Sequence, residues 1–177
     1  VSFVTIVSII VLSYNSVDSI FVQLALLILI ALIPFLFFNL RKKNKIFMGD
    51  AGSMLLGLSI AIVLIGLSQG AEATFRPITV LWIFALPLVD LLFVMFRRIS
   101  RGESPFLPDR KHIHYLFLKK GMSDRQALLS TMLVSTVFAV IGIFSELMTI
   151  VEWKMFVLFI VFFILYSVTL HLLDKKT

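Results

Sequence analysis

The sequence predicts an all-α, polytopic membrane helix bundle with five full transmembrane helices plus one partial helix at the N-terminus, and three observations carry that expectation. The composition is too apolar for water: 60% of the 177 residues are hydrophobic, 15% are charged and the mean hydropathy is +1.07, whereas soluble domains run at roughly 45–50% apolar and about 25% charged. Five stretches are apolar over the roughly 20 residues that a helix needs to cross a bilayer core about 30 Å thick. The connections between them alternate sharply in charge, as the loops of a membrane protein do. The chain has no Cys, so disulfides and thiolate metal cages are excluded and any metal must be held by oxygen or imidazole.

In chain order, residues 1–12 read as the tail of a span. They open on Val1, with no initiating Met and none of the basic residues that precede the apolar core of a signal peptide, so we expect the protein to continue upstream. Residues 20–38 carry no charge. Residues 53–71 are rich in small side chains, with Gly57, Ser59 and Ala61 suited to close helix approach, and residues 78–96 contain Pro87 and Asp90. Residues 126–144 are again uncharged, and Ser123 with Gln126 fits a capping box that starts this helix. The last run, 153–173, holds Lys154 and His171 near its ends.

Of the 16 Lys and Arg residues, 14 fall in alternate connections, at 41–45, 97–125 and 175–176. The segments 13–19, 69–77 and 145–152 contain only Arg76, with Lys154 just inside the next run. Because cytoplasmic loops collect basic residues, residues 39–52 and 97–125 are expected to be cytosolic loops of a single integral membrane domain spanning 1–177, with a cytosolic C-terminus. The net charge of +6 then comes from juxtamembrane side chains, Arg97 and Arg98 included, touching anionic headgroups. No aromatic-interleaved basic stripe is present, so nucleic acid is not an expected partner. Glu72, Glu146 and Glu152, on the opposite face, read as solvated loop acids.

Three constellations are able to carry chemistry. Gly49-Asp50-Ala51-Gly52-Ser53 follows Phe47-Met48 where a basic loop enters a span. Glycines beside an Asp at a helix start put backbone N–H groups and the positive end of a helix dipole next to a carboxylate, an address for phosphate and Mg²⁺; the plainer alternative is that Asp50 or Ser53 N-caps the span. One carboxylate does not complete a Mg²⁺ site, so a partner acid or substrate phosphate is required. The second runs from Pro105 to Tyr115 and holds Asp109, Arg110, Lys111, His112 and His114. Arg110 offers a bidentate fork for a diphosphate, and imidazoles donate to phosphate or relay protons near neutral pH. The two histidines share a face only if the chain is extended there, and the alternative is a solvated loop. The third is Asp90, an intramembrane acid three residues after Pro87, equally readable as a functional group, as half of an ion pair or as a helix cap.

Together, Phe47 to Ser53, then Pro87-Leu88-Val89-Asp90, then Arg97-Arg98, then Ser104 to His114 resemble, in order and spacing, the polyprenyl-phosphate N-acetylhexosamine-1-phosphate transferases. Within glycosyltransferase family 4 the pattern is closer to the WecA/TagO branch than to MraY, and it runs from about Phe38 to the C-terminus. The resemblance implies a multi-pass enzyme of the bacterial inner (cytoplasmic) membrane, with its active site on the cytosolic side. It would transfer N-acetylhexosamine 1-phosphate, most often GlcNAc 1-phosphate, from a UDP-sugar to undecaprenyl phosphate, release UMP and so initiate cell-envelope polysaccharide such as lipopolysaccharide or teichoic acid. It implies Asp50 as a ligand of Mg²⁺, with Mn²⁺ as the alternative ion. It also implies His112 and His114 as catalytic groups on the nucleotide diphosphate, and Gly49, Gly52, Ser53, Asp109, Arg110 and Lys111 as substrate-binding residues. A homodimer is compatible with it. Tyr115 stands where the family usually has a further His, and the family's adjacent aspartates lie upstream of the matched region, so this chain alone is expected to be inactive. Two other readings stay open: a membrane transporter or channel half working through Asp90, and a degenerate, non-catalytic membrane partner.

Overall fold

A computed structural model describes residues 1–41, 45–70, 73–100, 102, 104 and 113–175, by backbone alone at 114–116 and 170–175. Every regular element among the described residues is helical: α1 (Ser2–Leu12), α2 (Ile20–Asn39), α3 (Gly49–Ser68), α4 (Pro77–Ile83), α5 (Ala85–Ile99), α6 (Ile113–Lys119), α7 (Asp124–Leu147) and α8 (Glu152–Lys175), with a short 3₁₀ turn at Tyr14–Ser16. Helices α2, α3, α7 and the Glu152–Thr169 part of α8 are long and apolar enough to cross a membrane, and α4 with α5 makes a fifth span if the bent pair counts as one. Only 11–28% of the apolar windows of those four helices is buried within the protein. Leu27, Ile30, Leu129 and Leu133 therefore point outward, as side chains covered by lipid do.

The run expected as one helix over 78–96 is broken. α4 and α5 meet at Phe84 with a bend of 78°. The physical cause lies three residues further on: Pro87 has no N–H to give the carbonyl of Ile83, and its ring opposes helix continuing through that turn. Breaking at Phe84 puts Pro87 in the first turn of a new helix, where no donor is missed. The carbonyl it leaves is still satisfied, because the hydroxyl of Thr5, fully buried on α1, donates to Ile83 O over 3.2 Å.

Helix α7 is the hub, packing on α1, α4, α5 and α6. Trp82 of α4 is fully buried at its flank, with ring centroids 6.2 Å from Phe138, 5.6 Å from Phe159 and 5.7 Å from Phe162. Gly142 makes that approach possible, since a methyl group there would collide with Cβ of Trp82. Gly66 does the same for the ring of Phe21 between α3 and α2. This corrects the expectation for the middle of α3: Gly57 faces open space, and Ala61 is exposed. Glycine serves close packing here where a large aromatic residue comes from the neighbouring helix, which a stripe of small residues does not reveal.

The connections separate into two ends. At one, Ser13 and Thr74 share a hydrogen bond of 2.8 Å, and Arg76 pairs with Glu146, Nε lying 3.1 Å from Oε2. Arg76 also donates to the carbonyl of Ile150 at 2.6 Å, and the buried hydroxyl of Thr79 donates to Glu146. Glu146 is thus not a solvated loop acid but a half-buried residue of α7, because α4 brings a cation and a hydroxyl to it from 70 and 67 positions away. At the other end, Asn39 donates to Ile46 O over 2.7 Å, tying the end of α2 to the approach to α3. The expected capping box is present there: Gln126 N–H donates to Ser123 Oγ, and Ser123 N–H donates to Gln126 Oε1 over 2.9 Å.

Candidate functional site

The first motif lies inside α3 rather than ahead of it. Gly49 has φ of +69°, a conformation that glycine adopts at little cost, and starts the helix directly after Met48. A Cβ on Gly52 would fall 2.7 Å from Cγ of Met48, so the second glycine lets that side chain fold back over the first turn. Asp50 stands in this turn, exposed, and Ser53 Oγ donates to its carbonyl oxygen over 2.9 Å. Neither Asp50 nor Ser53 is the N-cap. That position is Met48, and no side chain caps the helix. The leading N–H groups of α3 and an exposed carboxylate therefore sit side by side at one helix end, the arrangement that attracts a phosphate with its counter-cation.

The second motif is described from Ile113 onward; Asp109, Arg110, Lys111 and His112 lie outside the described residues. His114 is the second residue of α6. Ile113 is buried beside Leu86, Phe93 and Val94 of α5, so the start of α6 is fastened to the bundle by the residue just before His114. The fastening has a polar half. Asp90, only 9% exposed, accepts the backbone N–H of Ile113 at 3.1 Å and the hydroxyl of Tyr166 at 3.3 Å. These two bonds make Asp90 a cap of α6 rather than of the kink near Pro87.

Arg97 and Arg98, expected among lipid headgroups, are instead buried, at 8% and 7% exposure. Arg98 donates to Ser104 O over 2.9 Å, and the Arg97 guanidinium stands 5.7 Å from the Phe93 ring centre. α5 turns them inward because they follow Phe93 and Val94 on its packed face, a placement that a count of basic residues does not convey. Tyr166 had no signal in the sequence beyond being a hydroxyl in an apolar span, which needs a partner when buried.

The two motif-bearing segments share one end of the molecule. A cavity of about 390 Å³ is lined by Asn39 and Leu40 at the end of α2, by Lys45 on the approach to α3, by Leu118 of α6, and by Asp124 and Arg125 at the start of α7. It lies at the end opposite the Arg76–Glu146 pair, and two cations and one acid border it. Among the described residues no three of His, Asp and Glu gather as a metal cage. Asp50 therefore suits a Mg²⁺ ion only as one ligand, the rest coming from phosphate oxygens, water or other residues.

Residues 1–68 match the family model described as glycosyl transferase family 4. Over 171 residues the chain is 42% identical to a protein of Pasteurella multocida (strain Pm70) named undecaprenyl-phosphate alpha-N-acetylglucosaminyl 1-phosphate transferase, covering 94% of this chain and 47% of that protein. Proteins with the same name from Haemophilus influenzae and Escherichia coli (strain K12) are 43% and 42% identical, covering 78% and 77% of this chain and 40% and 38% of their own lengths. The chain thus spans less than half the length of these relatives. No solved structure matches it. The similarity agrees with the resemblance carried by the motifs at 47–53 and 104–114 and reaches further, since the family match begins at residue 1 rather than at about Phe38.

Proposed function

We propose, from this similarity to glycosyl transferase family 4 and its undecaprenyl-phosphate-dependent members, that the chain is the C-terminal part of a UDP-N-acetylhexosamine:polyprenyl-phosphate sugar-1-phosphate transferase. The donor is UDP-GlcNAc and the acceptor undecaprenyl phosphate. A phosphate oxygen of the lipid forms a bond to the β-phosphorus, the bond from that phosphorus to the bridging oxygen breaks, and UMP leaves with that oxygen. The product is the lipid diphosphosugar, the first intermediate of a cell-envelope polysaccharide. The observation that most supports this is the shared end of the approach to α3 and of α6 around one cavity.

Transfer between two anions demands charge neutralisation and alignment more than a covalent nucleophile. The exposed carboxylate of Asp50 would hold the metal ion, while the leading N–H groups of α3 from Gly49 to Gly52 are available to the diphosphate oxygens and Ser53, whose hydroxyl donates to the Asp50 carbonyl, braces that first turn. By the resemblance, His112 and His114 donate to the nucleotide diphosphate, and Asp109, Arg110 and Lys111 belong to the substrate-binding set, the two cations offsetting the negative charge that UMP carries away. Mg²⁺, or Mn²⁺ in its place, supplies Lewis-acid neutralisation of the phosphate oxygens when bound. That 14 of the 16 Lys and Arg residues fall within the sequence segments 41–45, 97–125 and 175–176 supports a site on the cytosolic face of the inner membrane, where a soluble nucleotide meets a lipid phosphate.

The test uses the full-length protein with UDP-GlcNAc and undecaprenyl phosphate. Asp50→Asn and His114→Ala should each lower turnover by about 100-fold or more. Wild-type turnover in both variants ends the assignment. The transporter reading finds no support at Asp90, whose carboxylate is engaged by Ile113 and Tyr166.

A further inference from the structure

We infer that Asp90 and Tyr166 are positioning residues that set the register of the histidine-bearing helix α6 and thereby the affinity for the nucleotide donor; this rests on the transferase reading of His112 and His114. Ile113 separates the two histidines in sequence and is itself immobilised twice. Its side chain is buried against Leu86, Phe93 and Val94, and its N–H is held by Asp90 Oδ1 at 3.1 Å. An apolar contact alone lets a short helix rotate or slide, because dispersion and burial have little directionality. A hydrogen bond to a side-chain oxygen fixes both the distance and the direction of one backbone amide.

The carboxylate is oriented in turn from α8, where Tyr166 donates its hydroxyl to the same Oδ1 at 3.3 Å. Three helices, α5, α6 and α8, therefore meet at one oxygen atom. His114 follows the held residue directly in α6, so its backbone position is set by this contact. A carboxylate at this depth is costly in an apolar span. Its retention is accounted for if it spends its acceptor capacity on an amide that has no helical partner, the first N–H of α6.

The experiment uses full-length protein in lipid nanodiscs with Asp90→Ala, Asp90→Asn and Tyr166→Phe, reading amide hydrogen exchange across 113–119 and KM for each substrate. Asn keeps the Oδ1 acceptor, so Asp90→Asn should stay within about twofold of wild type, and Asp90→Ala should raise KM for UDP-GlcNAc about tenfold or more. Tyr166→Phe should fall between. KM for undecaprenyl phosphate should not move, and α6 amides should exchange faster in Asp90→Ala, a split that global destabilisation would not produce. Unchanged exchange in Asp90→Ala overturns the clamp, whatever turnover does. Faster exchange with an unaltered KM for the nucleotide overturns its part in the reaction. If His114→Ala is silent as well, the fault lies in the transferase reading itself.

Discussion

At the scale of single residues, the two ends of the molecule use charge for different purposes. Arg76 and Glu146 are partly withdrawn from water, with side-chain exposures of 27% and 16%, and Arg76 reaches the Ile150 carbonyl as well. Replacing one member leaves the other poorly satisfied, which costs more than the pair contributes. Glu146→Gln should lower stability by about 1–3 kcal/mol. Because the pair lies at the end away from the candidate site, turnover at permissive temperature should be unchanged; thermal unfolding in detergent beside an activity assay checks both halves. Asp90 was legible as an intramembrane acid demanding a partner, but Ile113 and Tyr166 were not, being 23 and 76 positions away. Glu146 was less legible still: it read as a solvated loop acid, and nothing in the sequence pointed to Arg76 or Thr79 as its partners. A sequence shows that a buried charge needs company and does not show who keeps it.

At the scale of elements, local rules set most boundaries and tertiary contacts decided the rest. The capping box at Ser123 and Gln126 was readable because its two residues are three apart and satisfy each other. The break at Phe84 was only half readable: Pro87 announces a disturbance, but its position in the first turn of α5 depends on Thr5 of α1 taking up the Ile83 carbonyl. Thr5→Val keeps the shape and removes the donor, leaving a buried carbonyl unpaired at a cost of about 1–3 kcal/mol. Thr5→Ser, which restores a hydroxyl, should recover much of that stability. Equal melting temperatures for Val, Ser and wild type would show that the broken span does not depend on this bond. Gly66 and Gly142 were indistinguishable in sequence from Gly57, since what singles them out is the ring of Phe21 or Trp82 arriving from another helix.

At the scale of the whole molecule, composition and charge alternation were enough to give an all-helical bundle with most of its long apolar helices facing lipid. They also foretold which connections gather at each end, through the contacts of Ser13 with Thr74 and of Arg76 with Glu146 and Ile150 at one, and the cavity bordered by Lys45 and Arg125 at the other. What the charges could not foretell is that Arg97 and Arg98 turn into the protein, because positive-inside bias fixes a side of the membrane and not a direction around a helix. The central claim is that Asp50 and His114 serve one nucleotide on the cytosolic face. In the full-length protein with any upstream Cys replaced, single thiols introduced at 51, 73 and 118, next to rather than on the binding residues, report one place each to a membrane-impermeant reagent, in intact cells and in inverted vesicles. The account predicts labelling at 51 and 118 only in inverted vesicles, with UDP-GlcNAc protecting both, and labelling at 73 only from outside. Thiols at 51 and 118 that react from opposite sides, or that the nucleotide leaves unprotected, would contradict it.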